Sequence, residues 1–130
     1  KSEFTPFVTL FAPCRGIDDD LEANLSALFR QDIPFYEILF VVDDENDDAA
    51  AVIRKIIAGN DKKTVSAKLI VAGKAVDSSQ KVHNLREAVL RADVKSEIFV
   101  FVDSDARPNE NWLRNLIAPL QNEKIGCSTG

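Results

Sequence analysis

The sequence is poor in the residues that build soft-metal or disulfide chemistry: one histidine and two cysteines in 130 residues. Cys14 and Cys127 stand at opposite ends of the chain. They form neither a Cys-x-x-Cys pair nor the disulfide framework of a small secreted domain, so a reducing compartment is the simpler setting. His83 has no second histidine or cysteine near it, which argues against zinc and for a hydrogen bond. No stretch approaches the roughly 18 apolar residues of a membrane span, and no signal-peptide pattern opens the chain. A basic excess is missing too: 16 Lys and Arg stand against 21 Asp and Glu, a net charge of -5, which excludes a general nucleic-acid binder. There is no Gly-x-Gly-x-x-Gly after a strand, no Walker-type loop and no serine nucleophile elbow, which counts against dehydrogenases, ATPases and hydrolases. Internal repeats are absent.

What is present is a 45% hydrophobic chain of a length suited to one domain, residues 1–130. Short apolar runs alternate with helical spacing. Val8 to Ala12 reads as a strand closed by Pro13 and Gly16. Asp18, Asp19 and Asp20 then suit a helix N-terminus whose apolar face is Leu21, Leu25, Leu28 and Phe29. Tyr36 to Val42 is a nearly continuous apolar run, as expected of a strand covered on both sides. Val52, Ile53, Ile56 and Ile57 mark a second helix ending at Gly59-Asn60. Ala67 to Ala72 reads as a third strand. Val82, Leu85, Val89 and Ala92 mark the inward face of a third helix, and Glu97 to Val102 a fourth strand. Trp112, Leu113, Leu116, Ile117 and Leu120 point inward from a fourth helix, and Ile125 to Ser128 begins a fifth strand. This alternation predicts an α/β fold: a doubly wound, mostly parallel, Rossmann-like sheet with helices on both faces and right-handed crossovers.

In such a sheet ligands bind beyond the carboxyl ends of the strands, here just after Ala12, Val42, Ala72 and Val102. Arg15 follows the first strand and Asp43-Asp44 the second. Lys81 lies on the loop entering the third helix, and Asp103-Ser104-Asp105 follows the fourth strand. Clustered carboxylates repel one another, and an Asp-x-Asp at the end of a buried strand offers oxygen ligands to Mg²⁺ or Mn²⁺. Arg15 and Lys81 are the cations best placed to meet a diphosphate. Asp43 and Asp44 have two readings: a cap on the following helix, shared with Asn46, Asp47 or Asp48, or acceptors for a base or ribose. Cys14 is a nucleophile only where its surroundings lower the thiol pKa.

The order of these residues resembles glycosyltransferase family 2 in its A-type fold, and more closely the ceramide glucosyltransferase branch and its bacterial relatives. The pieces are Pro13 and Gly16, Asn24-Leu25, Gln31-Asp32-Ile33-Pro34, Asp43-Asp44, Lys81-Val82-His83-Asn84-Leu85, and Asp103-Ser104-Asp105-Ala106-Arg107. The resemblance implies a nucleotide-sugar donor, a UDP-sugar by preference, and a lipid hydroxyl acceptor with inverting, metal-assisted transfer. It implies Asp43 or Asp44 on the base or ribose and Lys81 near the donor. Asp103 and Asp105 would lie on the sugar-diphosphate and on Mn²⁺ or Mg²⁺. The branch's third acidic motif and Arg-Trp segment have no counterpart in these residues. The expectation is therefore a soluble N-terminal piece, with its general base beyond residue 130, that does not transfer sugar by itself. It would come from a membrane-anchored protein with this domain facing the cytosol.

Two other classes fit parts of the chain. Residues 38–45 also resemble the first strand of a phosphorelay receiver domain, whose paired acids hold Mg²⁺. A non-catalytic α/β interaction domain, with its acids serving only as caps, is the third reading.

Overall fold

The computed structural model describes residues 6–16, 19–76, 79–122 and 126–129. Five parallel strands form one sheet in the order β3-β2-β1-β4-β5: β1 Val8–Pro13, β2 Tyr36–Val42, β3 Val65–Val71, β4 Ile98–Phe101 and β5 Gly126–Thr129. Every residue of β2 is buried, as its nearly continuous apolar run requires of a strand covered on both faces, and the one charged member, Glu37, is satisfied by bonds from Thr9 Oγ1 at 2.8 Å and the Asp93 N–H at 2.7 Å. At the edge, β3 starts two residues earlier than its apolar run suggests and alternates between buried and exposed positions.

The larger core packs α1 (Leu21–Ala27), α2 (Asp48–Ala58) and α4 (Trp112–Ile117) on the face formed by Val8, Leu10, Ile38, Phe40 and Val100. Trp112, Leu116 and Leu120, partly buried, pack against it, so the tryptophan is engaged by the core. Among the described residues only α3 (Gln80–Leu90) covers the other face, where Phe11 stacks on Phe101 at 4.9 Å and meets Phe99 edge-on at 5.2 Å.

Two expectations change. The inward face of α3 is Asn84 and Ala88, while Val82 and Val89 are 48% and 36% exposed. A polar contact at Asn84, described below, overrides the apolar stripe. The crossovers also do not share one hand. From β1 the chain steps outward to β2 and β3 with α1 and α2 on one face, then returns by α3 on the other, all with one hand. From β4 to β5 it steps the opposite way while α4 lies on the α1 and α2 face, so this connection has the opposite hand. Burial of Leu113 and Ile117 and a set of bonds from Gln31 hold α4 there.

Candidate functional site

The strand order reverses between β1 and β4, so their carboxyl ends open the crevice where an α/β sheet binds ligands. A cavity of about 250 Å³ lies there. Pro13, Cys14 and Arg15 line it from the end of β1, Asp43 from the end of β2, Gln80, Lys81 and Asn84 from the first turns of α3, and Asp103 and Ser104 from the end of β4. Of the sequence candidates, Arg15, Asp43, Lys81 and Asp103 meet on this cavity. Asp44 and Asp105 do not line it, and both are exposed.

The aspartate pair after β2 divides its work. Asp43 is half-buried and accepts a hydrogen bond from Asn84 Nδ2. Asp44 turns the chain by accepting from the Asn46 N–H at 2.9 Å. The cap of α2 is Asp47, whose Oδ1 accepts from Ala49 N at 2.9 Å and also from Gly16 N at 2.8 Å. One carboxylate thus starts α2 and fixes the turn that carries Arg15. Gly16 sits there at φ 69°, a conformation that residues with a Cβ seldom adopt.

The segment after Asp103 is held from the side by polar residues of the first α/β unit. Asn24, 6% exposed, donates to the Ser104 carbonyl at 3.4 Å and accepts from Arg107 Nε at 3.0 Å. Asp20, at the N-cap position of α1 but making no cap bond, pairs with Arg107 at 3.4 Å. Asp18 lies outside the described residues. Gln31 donates to the carbonyls of Ala27 and Asn109 at 3.2 and 2.9 Å and accepts from Leu113 N at 2.8 Å. Asp32 adds a backbone bond to Glu110 and a contact with Arg114 at 3.0 Å. Asn24, Gln31 and Arg107, which stand out in the sequence as motif residues, are therefore struts of the Asp103 loop. Gln80 went unnoticed in the sequence, and Asn84 appeared there only as a motif residue with no role given to it. The available signal for Asn84 was its place in the Lys81-Val82-His83-Asn84-Leu85 motif.

Cys14 is not a nucleophile. Its thiol donates to the Ala12 carbonyl at 3.3 Å and is 3% exposed. Burial, then the nearby Asp47 carboxylate, push its pKa from 9.0 up to about 12. His83 Nε2 lies 2.8 Å from the Ala72 carbonyl, which makes it a hydrogen-bonding residue of α3.

Asp103 and Asp105 offer hard carboxylate oxygens, and among the described residues no cluster of three His, Cys, Asp or Glu could cage an ion. That donor set does not suit a closed protein site. It suits Mg²⁺ or Mn²⁺, which take one or two carboxylates and complete their shell with water and phosphate oxygens.

Glycosyl transferase family 21 matches the whole chain, residues 1–130. The chain belongs to this family. The branch-level resemblance carried by the motifs holds, with family 21 as the matching family. Among similar proteins, the ceramide glucosyltransferase of Candida albicans is 33% identical over 125 residues, covering 87% of this chain and 22% of that protein. Ceramide glucosyltransferase 1 of Caenorhabditis elegans is 31% identical over 83 residues, 64% of this chain and 17% of the relative. Ceramide glucosyltransferase 3 of the same organism is 29% identical over 104 residues, 77% and 22% of the two. The chain thus spans only a minor part of the length of these relatives. Among the described residues no helix is long and apolar enough to cross a membrane.

The receiver reading fails on both counts. The family is a transferase family, and β1 here lies between β2 and β4 rather than between β2 and β3 as in the receiver order. The same family membership displaces the interaction-domain reading.

Proposed function

We propose that the chain is the nucleotide-sugar-binding part of a glycosyltransferase that passes a sugar from a nucleotide-sugar, a UDP-sugar, to a lipid hydroxyl with inversion. The observation that carries this reading is the meeting of Arg15, Lys81, Asp43 and Asp103 on one cavity at the switch point of a family 21 chain. The relatives' names, each a glucosyl group on ceramide, support the lipid acceptor. At about 250 Å³ the cavity is smaller than the roughly 300–1,000 Å³ of a complete ligand pocket, so it takes part of the donor rather than all of it.

Each side chain has a task set by its chemistry. Arg15 and Lys81, both exposed at the rim, present N–H donors to the diphosphate, Arg15 as a planar fork and Lys81 as a point charge. Asp43 accepts from the base or ribose. Asp103, with Asp105 two residues on, would hold Mn²⁺ or Mg²⁺, which would supply Lewis-acid neutralisation of diphosphate charge. The Asn24 and Gln31 struts keep the Asp103 loop in place, so its carboxylates need little rearrangement to receive the donor. The full protein is anchored to a membrane through segments outside these residues, with this domain on the cytosolic side.

Calorimetric titration with UDP in the presence of Mn²⁺ tests the reading. Asp103→Ala weakens binding more than about tenfold, the loss of one charge-assisted site. Asp44→Ala changes it less than about twofold, because Asp44 is spent on the turn. Equal losses in the two variants, or no UDP binding, would overturn the assignment.

A further inference from the structure

Asn84 is 6% exposed within α3, and a buried amide needs partners at both of its ends. Its Nδ2 donates to Asp43 Oδ1, and its Oδ1 accepts from Gln80 Nε2 at 2.8 Å. Gln80 Nε2 donates a second bond to the Gly73 carbonyl at 2.8 Å, while Gln80 Oε1 accepts from the Ala75 N–H at 3.0 Å. A backbone N–H only donates, so Ala75 determines which end of Gln80 is the oxygen. The Gln80 amide N–H then determines which end of Asn84 is the oxygen. The remaining NH₂ of Asn84 must face the carboxylate. The orientation of both amides is thus dictated from the main chain after β3.

We propose that Gln80 and Asn84 are positioning residues that hold Asp43 at the cavity as a one-oxygen acceptor, an inference that rests on the donor-site reading above. With Oδ1 engaged by Asn84, Oδ2 is the oxygen without a partner among the described residues. A single oxygen suits a base with one ring N–H donor, as in uracil. Guanine, with N1–H beside N2–H, uses both oxygens of a carboxylate. The relay also ties the backbone of Gly73 and Ala75 to the position of the acceptor.

The test is a double-mutant cycle on UDP affinity with Mn²⁺, using Gln80→Met, Asp43→Asn and the pair. Methionine keeps the length of the side chain and removes both ends of its hydrogen bonding without adding charge. Gln80→Met weakens UDP binding about tenfold in the unmodified background, the loss expected when a charged acceptor is misplaced, and less than about twofold in Asp43→Asn. A purely structural role for Gln80 gives the same penalty in both backgrounds and overturns the relay. UDP affinity indifferent to Asp43→Asn also overturns it, while leaving a donor site at Asp103 intact. No UDP binding by the unmodified chain overturns the donor reading and the relay together.

Discussion

Replacing Gln31 with leucine isolates the contribution of the strut beneath the Asp103 loop. Leucine is close to glutamine in volume and leaves no cavity, so the effect is one of hydrogen bonding. Three side-chain bonds disappear: two to the carbonyls of Ala27 and Asn109, and one from the Leu113 N–H. Leu113 is fully buried in the first turn of α4, where N–H groups have no intrahelical partner. An orphaned buried donor costs about 1–3 kcal/mol and each lost bond about 1 kcal/mol net, while the added apolar burial returns part of this. The expected loss is about 3 kcal/mol, and a melting point lower by about 10 °C in a domain of this size. Equilibrium urea unfolding followed by far-UV circular dichroism measures the first quantity. Amide hydrogen exchange at Leu113 provides the local readout, with protection dropping alongside stability. A loss below about 1 kcal/mol with Leu113 protection unchanged would refute the assignment of Gln31 as the residue that secures α4.

Asp47→Ala removes one carboxylate that serves both the cap of α2 and the turn at Gly16. A destabilisation of about 2 kcal/mol in urea unfolding is expected, at the upper end of the range for a lost N-cap because a second backbone N–H goes unpaired. Cys14 resists alkylation in the folded chain at pH 8 and reacts fully in urea, as a mass-spectrometric time course shows. Stability falls in alkaline solution. Burial raises the Cys14 thiol from 9.0 to about 12, and burial likewise raises the Tyr36 hydroxyl from 10.0 to about 12, opposed in part by its bond from the Gln31 N–H. The unfolded chain loses these protons first, so their contribution is complete below pH 9 and is lost progressively as the pH rises toward 12. Between pH 9 and 10 the cysteine dominates, and Cys14→Ala flattens the fall in urea stability by about 1 kcal/mol per pH unit.

Much of the fold was legible because burial writes itself into apolar periodicity. β2 could be bounded from its nearly continuous apolar run, and α2 from its isoleucine stripe and Gly59. The face of α3 was misread for a physical reason: Asn84 turns inward to reach Asp43, and the valines that complete an apolar stripe on paper are left outside. The same kind of residue hid most of the site's scaffold. Asn24 and Gln31 act through hydrogen bonds to backbone atoms far along the chain, and no local pattern encodes such partners. Gln80 bonds the backbone of the loop just before its own helix, where no apolar period marks it. The strand ends did locate the cavity, because parallel strands bring their carboxyl termini to one edge. Which member of an acidic pair reaches it depends on single backbone turns, as the contrast between Asp43 and Asp44 shows. The hand of the β4-α4-β5 connection followed from tertiary capture of α4, which a general preference for right-handed crossovers does not contain.

The central claim, a metal-assisted donor site at the switch point between β1 and β4, is tested most directly by paramagnetic broadening of backbone amide resonances with Mn²⁺ in the presence of UDP. The predicted result is broadening centred on Asp103 and Ser104 and extending to Cys14, Arg15 and Lys81, lost in Asp103→Ala. Broadening centred elsewhere, such as the separate hollow lined by Ser26 and Asn60, or a pattern unchanged in Asp103→Ala, would contradict it.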